Sequence, residues 1–335
     1  MASLINRLQA PLPEPTRDTT SIPSSQELPE AAIHCVGVVG LGRMGAAFAA
    51  NLLSAGYRTI VYDRDRRRAQ PLQVEGARAA ERLADLAACD LVITMLPDDA
   101  ALETVAIGPD GLTDILPQGA IHVCVGTISP GLSRRLASAH ASHGQGFVAA
   151  PVLGNPDLAR AQRLFVLAAG APNAVARARP VLERLGQKMF IIGDDPGHAS
   201  LVKLAGNVLT AATLESMGEV FALLRKAGVD PHLAFDVFTG SLFDGRVHET
   251  YGGKIVDGRY DPPGMTVPLA VKDLRLALVE AEQLAVPMSV ASLVHDRLVA
   301  AEARGWGGLD WSALGLLAAA DAGLPDTAPA AQRQS

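Results

Sequence analysis

Apolar and polar positions along the chain fall into two regimes. From about Ile33 to Ile192, short apolar runs alternate with alanine-rich stretches of helical period. The runs Cys35–Val39, Thr59–Tyr62, Leu91–Met95, Ile121–Val125, Gly146–Ala149, Leu164–Ala169 and Lys188–Ile192 are each bounded by Gly, Pro, Asp or a polar turn, which predicts strands. Helices such as Gly45–Ala55 and Leu132–Ser142 are predicted between them. This alternation is the order of βαβ units, which build a doubly wound parallel sheet.

After Gly193-Asp194-Asp195-Pro196-Gly197 the strand signal ends. One apolar helical pattern then runs from Ala199 to Ala227 without an internal proline. Gly228 supplies a stop, and Asp230-Pro231 supplies the N-cap and first-turn proline of the next helix. The long helix carries Leu201, Leu204 and Val208 but also Val202, Leu209 and Val220. Apolar residues on more than one face predict a central helix covered on both sides, within one domain or across a dimer. The expected organisation is a disordered, proline-rich tail over 1–32, an α/β domain over 33–195, an all-helical domain over 196–322 and a frayed tail over 323–335.

Composition narrows the partners. With 29 Lys plus Arg against 35 Asp plus Glu in 335 residues, the net charge of -6 argues against nucleic acid. No apolar run approaches the roughly 18 residues that span a bilayer. The N-terminal segment lacks the basic-then-apolar order of a signal peptide; a transit peptide is the alternative to a disordered tail, and acidic residues at Glu14, Asp18, Glu27 and Glu30 weigh against it. Cys35, Cys89 and Cys124 each lie in an apolar segment and read as buried thiols, which fits a reducing cytoplasm. A small-molecule substrate is the expected partner.

The segment Gly40-Leu41-Gly42-Arg43-Met44-Gly45 stands after the first strand and before the first helix, where a dinucleotide fingerprint of the Rossmann type needs its glycines. Gly40 permits the tight turn, Gly42 lets main chain approach a pyrophosphate, and Gly45 lets the helix pack close. Asp63 ends the next strand, 18 positions after Gly45, where an acid accepts from the adenosine ribose hydroxyls and favours NAD. Arg64 follows it directly and can pair with the 2'-phosphate of NADP. The cofactor is therefore NAD or NADP. Arg67 and Arg68 read as a solvated helix start.

Lys203 and Asn207 are four apart on the long helix and share a face that Thr210 continues. Burial of such a lysine lowers its pKa toward the range a general acid or base needs. By pattern alone, most mid-helix lysines reach solvent. Gly206 removes a side chain beside this stripe.

Gly197-(five residues)-Lys203-(three residues)-Asn207 resembles the catalytic signature of the beta-hydroxyacid dehydrogenase family. Several further segments resemble that family: the glycine loop with Asn51-Leu52, Thr94-Met95-Leu96-Pro97, Gly126-Thr127-Ile128-Ser129-Pro130, Ala150-Pro151-Val152-Leu153-Gly154-Asn155 and Val271-Lys272-Asp273-Leu274. The likeness extends from Ile33 to about Leu316. It implies a nucleotide-binding domain, a helical domain built on the long helix, an active site between them and a homodimer. It further implies Lys203 as acid/base, Asn207 as its substrate-orienting neighbour, and Leu96, Pro97, Thr127 and Lys272 at the cofactor. The two substrate loops would contribute Gly126, Thr127, Gly154 and Asn155. On spacing alone, Lys272 also reads as an ordinary helix charge and Thr127 as a turn hydroxyl ahead of Pro130.

Departures from the family touch the substrate. Gly126 stands where a serine is usual, Leu153-Gly154-Asn155 where Ser-Gly-Gly is usual, and Gly206 where Asn or His is frequent. A leucine cannot hydrogen-bond a carboxylate. The leading expectation is an NAD(P)-dependent oxidoreductase acting on a small hydroxy acid or alcohol, or on its carbonyl form. An imine reductase and a non-catalytic dinucleotide-binding protein are the alternatives. The eight histidines lack metal-ligand spacing, His140 and His143 read as a helix end, and Asp310-Trp311-Ser312 reads as an N-cap with a packing aromatic.

Overall fold

A computed structural model describes residues 32–324. The tails expected over 1–32 and 323–335 lie almost wholly outside that range. Nine strands form one sheet: β1 Cys35–Val39, β2 Arg58–Tyr62, β3 Arg78–Ala79, β4 Leu91–Thr94, β5 Ile121–Cys124, β6 Gly146–Ala149, β7 Val152–Leu153, β8 Leu164–Gly170 and β9 Gly186–Gly193. Their spatial order is β3-β2-β1-β4-β5-β6-β8-β7, with β9 paired to β8. All seven expected strands are present. The two that the pattern did not announce, β3 and β7, are two residues long, too short to show a period.

From β3 to β6 every pairing is parallel. Beyond β6 the sheet departs from the all-parallel expectation, because β8 runs antiparallel to both β6 and β7 while β9 is parallel to β8. A parallel return needs a crossover of a dozen or more residues that covers a face. Residues 150–163 instead hold β7 and the short helix Pro156–Arg160. The strand order reverses between β1 and β4, so the loops leaving these two strands bound a crevice at their carboxyl ends.

The core of this part is apolar strand surface under flanking helices, with Val36, Val38, Phe48, Leu52, Ile93 and Val123 in one buried cluster. On the opposite face of the sheet, against Phe147, lies an unexpected polar chain. His122 Nε2 lies 2.9 Å from Thr94 Oγ1, His122 Nδ1 lies 2.7 Å from His140 Nε2, and His140 Nδ1 lies 2.7 Å from Gln145 Oε1. His143 is the helix end that was expected, whereas His140 is fully buried. Burial holds both rings neutral, with His140 pushed down to about 4 and His122 well below the ordinary value.

After β9 the described chain is helical apart from turns, short 3₁₀ segments and one isolated bridge. The long helix spans Pro196–Lys226, opened by Asp195, whose side chain accepts from the Gly197 N–H. Leu204, Ala211 and Leu214 bury against Leu274, Leu298 and Leu314 of the surrounding helices. The expected cover on both sides is not met within one chain. Leu209 is 71% exposed and Leu223 68%, with Val202 and Val220 also exposed. At 100° per residue these four fall on one stripe of the helix. Asp310 caps the turn at Trp311 as expected and also takes Lys254 Nζ at 2.8 Å.

Candidate active site

The glycine loop leaves β1 at the strand-order reversal. Gly40 has φ +89, in the left-handed region, and a Cβ there would collide with the Met95 carbonyl. A Cβ on Gly45 would collide with the Gly40 carbonyl, whereas one on Gly42 would meet nothing within 4 Å. Two glycines are thus needed by the turn itself, and the third leaves open space. The helix Arg43–Ser54 starts at Gly42 without a side-chain cap. An uncapped helix start facing open space suits an anionic group, so these residues fit a dinucleotide pyrophosphate.

Asp63 does more than the sequence suggested. One carboxylate oxygen accepts the Leu41 N–H at 2.7 Å and the other the Asp65 N–H at 2.8 Å, so Asp63 fastens the glycine loop to the end of β2. Arg68 approaches it to 3.5 Å, and Arg64 is exposed at the same corner. Arg43 points away from this corner and donates to the Pro263 carbonyl of the helical part.

Lys203 and Asn207 lie on a buried face, as their spacing required. Lys203 Nζ donates to Asn207 Oδ1 at 3.0 Å, and Asn207 Nδ2 donates to Asp273 Oδ2 at 2.5 Å. Both ends of the Asn207 amide are engaged, so its direct effect here is to orient the lysine. Burial pushes the Lys203 ammonium down to about 8; the Asp273 carboxylate pulls it upward and the Lys272 charge pushes it further down. Thr210 plays no part, because its hydroxyl bonds back to the Gly206 carbonyl.

Lys272 resolves the ambiguity of its spacing. Its ammonium donates to the Pro97 carbonyl at 2.9 Å and to the Thr127 carbonyl at 2.6 Å, and lies 2.9 Å from Asp273 Oδ1. It joins the helix Val267–Gln283 to the loops that follow β4 and β5. Those loops also approach each other, since a Cβ on Gly126 would come within 2.9 Å of the Leu96 carbonyl. The loop after β6 closes the space. A Cβ on Gly206 would lie 3.2 Å from Leu153 Cδ2, so Leu153 rests on the long helix beside the Lys203–Asn207 stripe. Asn155, expected at the substrate, spends its Oδ1 capping the Leu158 N–H. Gly154 is exposed beside it with φ +140.

Asp273 was not given a role from sequence. A signal for it existed: Ala270, Leu274, Ala277 and Ala281 are the buried stripe of its helix, and Asp273 lies on that stripe. A carboxylate on an apolar stripe calls for a buried partner.

Residues 35–193 match the family described as the NAD binding domain of 6-phosphogluconate dehydrogenase, and residues 197–317 match the NAD-binding family of NADP-dependent 3-hydroxyisobutyrate dehydrogenase. These matches and the crevice define an NAD(P)-dependent oxidoreductase acting on CH–OH groups. An uncharacterized oxidoreductase of Bacillus subtilis, YfjR, is 38% identical over 281 residues, 83% of this chain and 98% of that protein. The 3-hydroxyisobutyrate dehydrogenase of Pseudomonas aeruginosa is 31% identical, over 78% of this chain and 90% of its own. A crystal structure of 3-hydroxyisobutyrate dehydrogenase from Salmonella typhimurium superposes with a TM-score of 0.77 at 30% identity, covering 84% of this chain and 98% of that one. The chain belongs to the beta-hydroxyacid dehydrogenase family.

Proposed function

We propose that Lys203 is the acid/base of hydride transfer between a nicotinamide and a small hydroxy acid or alcohol, in either direction. The observation that carries this reading is a buried ammonium hydrogen-bonded to Asn207, which is tied through Asp273 to Lys272 and so to the loops after β4 and β5; burial pushes that ammonium down to about 8. In carbonyl reduction Lys203 gives a proton to the carbonyl oxygen; in alcohol oxidation the neutral amine takes the hydroxyl proton. Asn207 keeps the amine aimed while Asp273 stabilises its charged form.

Gly40, Leu41, Gly42, Arg43, Met44 and Gly45 would hold the pyrophosphate, Asp63 and Arg64 would meet the adenosine ribose, and Leu96, Pro97, Thr127 and Lys272 would border the nicotinamide. When bound, that group supplies or accepts the hydride. Residues 33–195 form the cofactor part and 196–322 the substrate part in this reading, with Gly126, Thr127, Gly154 and Asn155 at the substrate loops. Lys203→Ala should lower kcat by about a thousandfold or more while NADPH affinity stays within a few-fold. Near-normal turnover by this variant with an identified substrate would falsify the assignment.

The named relatives point to hydroxy acids such as 3-hydroxyisobutyrate as the first substrates to assay. The exposed stripe Val202, Leu209, Val220 and Leu223 supports a homodimer that covers the long helix, to be tested by light scattering of the wild type and Leu209→Glu. We further infer residence in the cytoplasm, from three buried free thiols. No described helix is long and apolar enough to cross a membrane.

A further inference from the structure

Beside the Lys203–Asn207 stripe of the long helix, at Gly206, stands an apolar wall. Leu153 is half-buried, rests on Gly206, and pairs across β7 and β8 with Phe165, so the two side chains share one face of the hairpin. Leu96 and Ile192 belong to the same apolar cluster as Leu153.

The wall itself offers a substrate anion no donor, because leucine, isoleucine and phenylalanine side chains carry none. Position 126 has no room for a side chain beneath the Leu96 carbonyl. Asn155 is held as a helix cap through its Oδ1, which accepts the Leu158 N–H. Of the cations on the flanking elements, Lys272 is engaged with two carbonyls and Lys254 with Asp310, while the exposed Arg246 lies over the Phe165 ring at 5.1 Å. A carboxylate set against Leu153 would lose hydration on that side without gaining a hydrogen bond from the leucine.

We propose that Leu153, seated on Gly206, selects a substrate whose reacting carbon bears an uncharged aliphatic group, in preference to one bearing a carboxylate at that end. This rests on the oxidoreductase reading and narrows it to simple aldehydes, ketones or their alcohols. Gly206 belongs to the same device, because a Cβ there would lie 3.2 Å from Leu153 Cδ2 and press on the leucine.

The experiment compares a matched pair, butanal and succinic semialdehyde, which differ by a terminal methyl against a carboxylate. Wild-type kcat/KM should favour butanal by about tenfold or more. Leu153→Ser should bring the ratio down at least tenfold, and Gly206→Ala should reduce butanal turnover by pushing Leu153 into the substrate space. A wild-type preference for the semialdehyde, or a ratio unmoved by Leu153→Ser, overturns the proposal. Binding to the NADPH complex is measured in parallel by quenching of NADPH fluorescence, with butyramide against succinamate. Tighter butyramide binding without turnover of either aldehyde retains the neutral pocket and overturns the oxidoreductase reading instead; tighter succinamate binding overturns the pocket.

Discussion

The glycine loop and the Lys203 cluster solve different problems with different parts of the chain. The loop is local: Gly40, Gly42 and Gly45 fall within six residues, and what they offer is main chain and space. The cluster is assembled at long range, with Lys203 and Asn207 meeting Asp273, 66 residues beyond Asn207, and Lys272 reaching 175 residues back to Pro97. Shape carries the first site and charge balance the second. A shape tolerates changes of charge but not of volume. A charge balance tolerates changes of volume but not the loss of one member.

Breaking the charge balance should give the largest effect. Asp273→Asn removes the group that pulls the Lys203 pKa upward, so that pKa falls below about 8. Carbonyl reduction needs the protonated amine, and its rate declines as pH rises through this value. The alkaline limb of its pH profile should therefore move to lower pH, with kcat down about ten- to a hundredfold at pH 7.5. An unmoved limb would separate Asp273 from Lys203.

Changing the shape should act on the cofactor alone. Gly45→Ala forces a methyl against the Gly40 carbonyl, and NADPH affinity should drop about tenfold while kcat at saturating cofactor stays within about threefold. Equal losses in both parameters would contradict the division between shape and charge.

The smallest effect is on stability and has the opposite sign. The unfolded chain keeps the Lys203 proton to about pH 10.5 and the folded chain releases it near 8, so the unfolded state binds more protons between these values. Stability rises with pH across that window, and the burial cost is fully present below it. Lys203→Met should stabilise the fold by about 1–3 kcal/mol at pH 7, a gain that fades above about pH 8. Urea titrations at pH 7 and pH 10 would test this, and an equal gain at both would show that packing is its source.

What the sequence made legible follows the same division. Glycines in a strand–turn–helix context carry their reason locally, and β1 begins and ends where the pattern placed it. Lys203 and Asn207 could be put on one face by counting, but the burial that lowers the lysine pKa comes from helices far along the chain. Asp273 escaped because its partner Asn207 lies 66 positions away, and no local spacing announces that contact. Leu153 could be read only as a departure from a family, since its seat on Gly206 joins two residues 53 positions apart. The reversal of β8 depended on what residues 150–163 do not build, which periodicity cannot express.

The buried chain from Thr94 to Gln145 also fixes where its protons sit. Gln145 Nε2 donates to the Thr113 and Leu116 carbonyls, at 3.0 and 2.7 Å, so its Oε1 can only accept. His140 must then carry its hydrogen on Nδ1, which leaves Nε2 to accept from His122 Nδ1–H. The second imidazole is forced into the same tautomer, and its Nε2 takes the Thr94 hydroxyl hydrogen. One amide thereby sets the direction of three successive hydrogen bonds across the sheet, ending on the residue that introduces the Met95-Leu96-Pro97 loop.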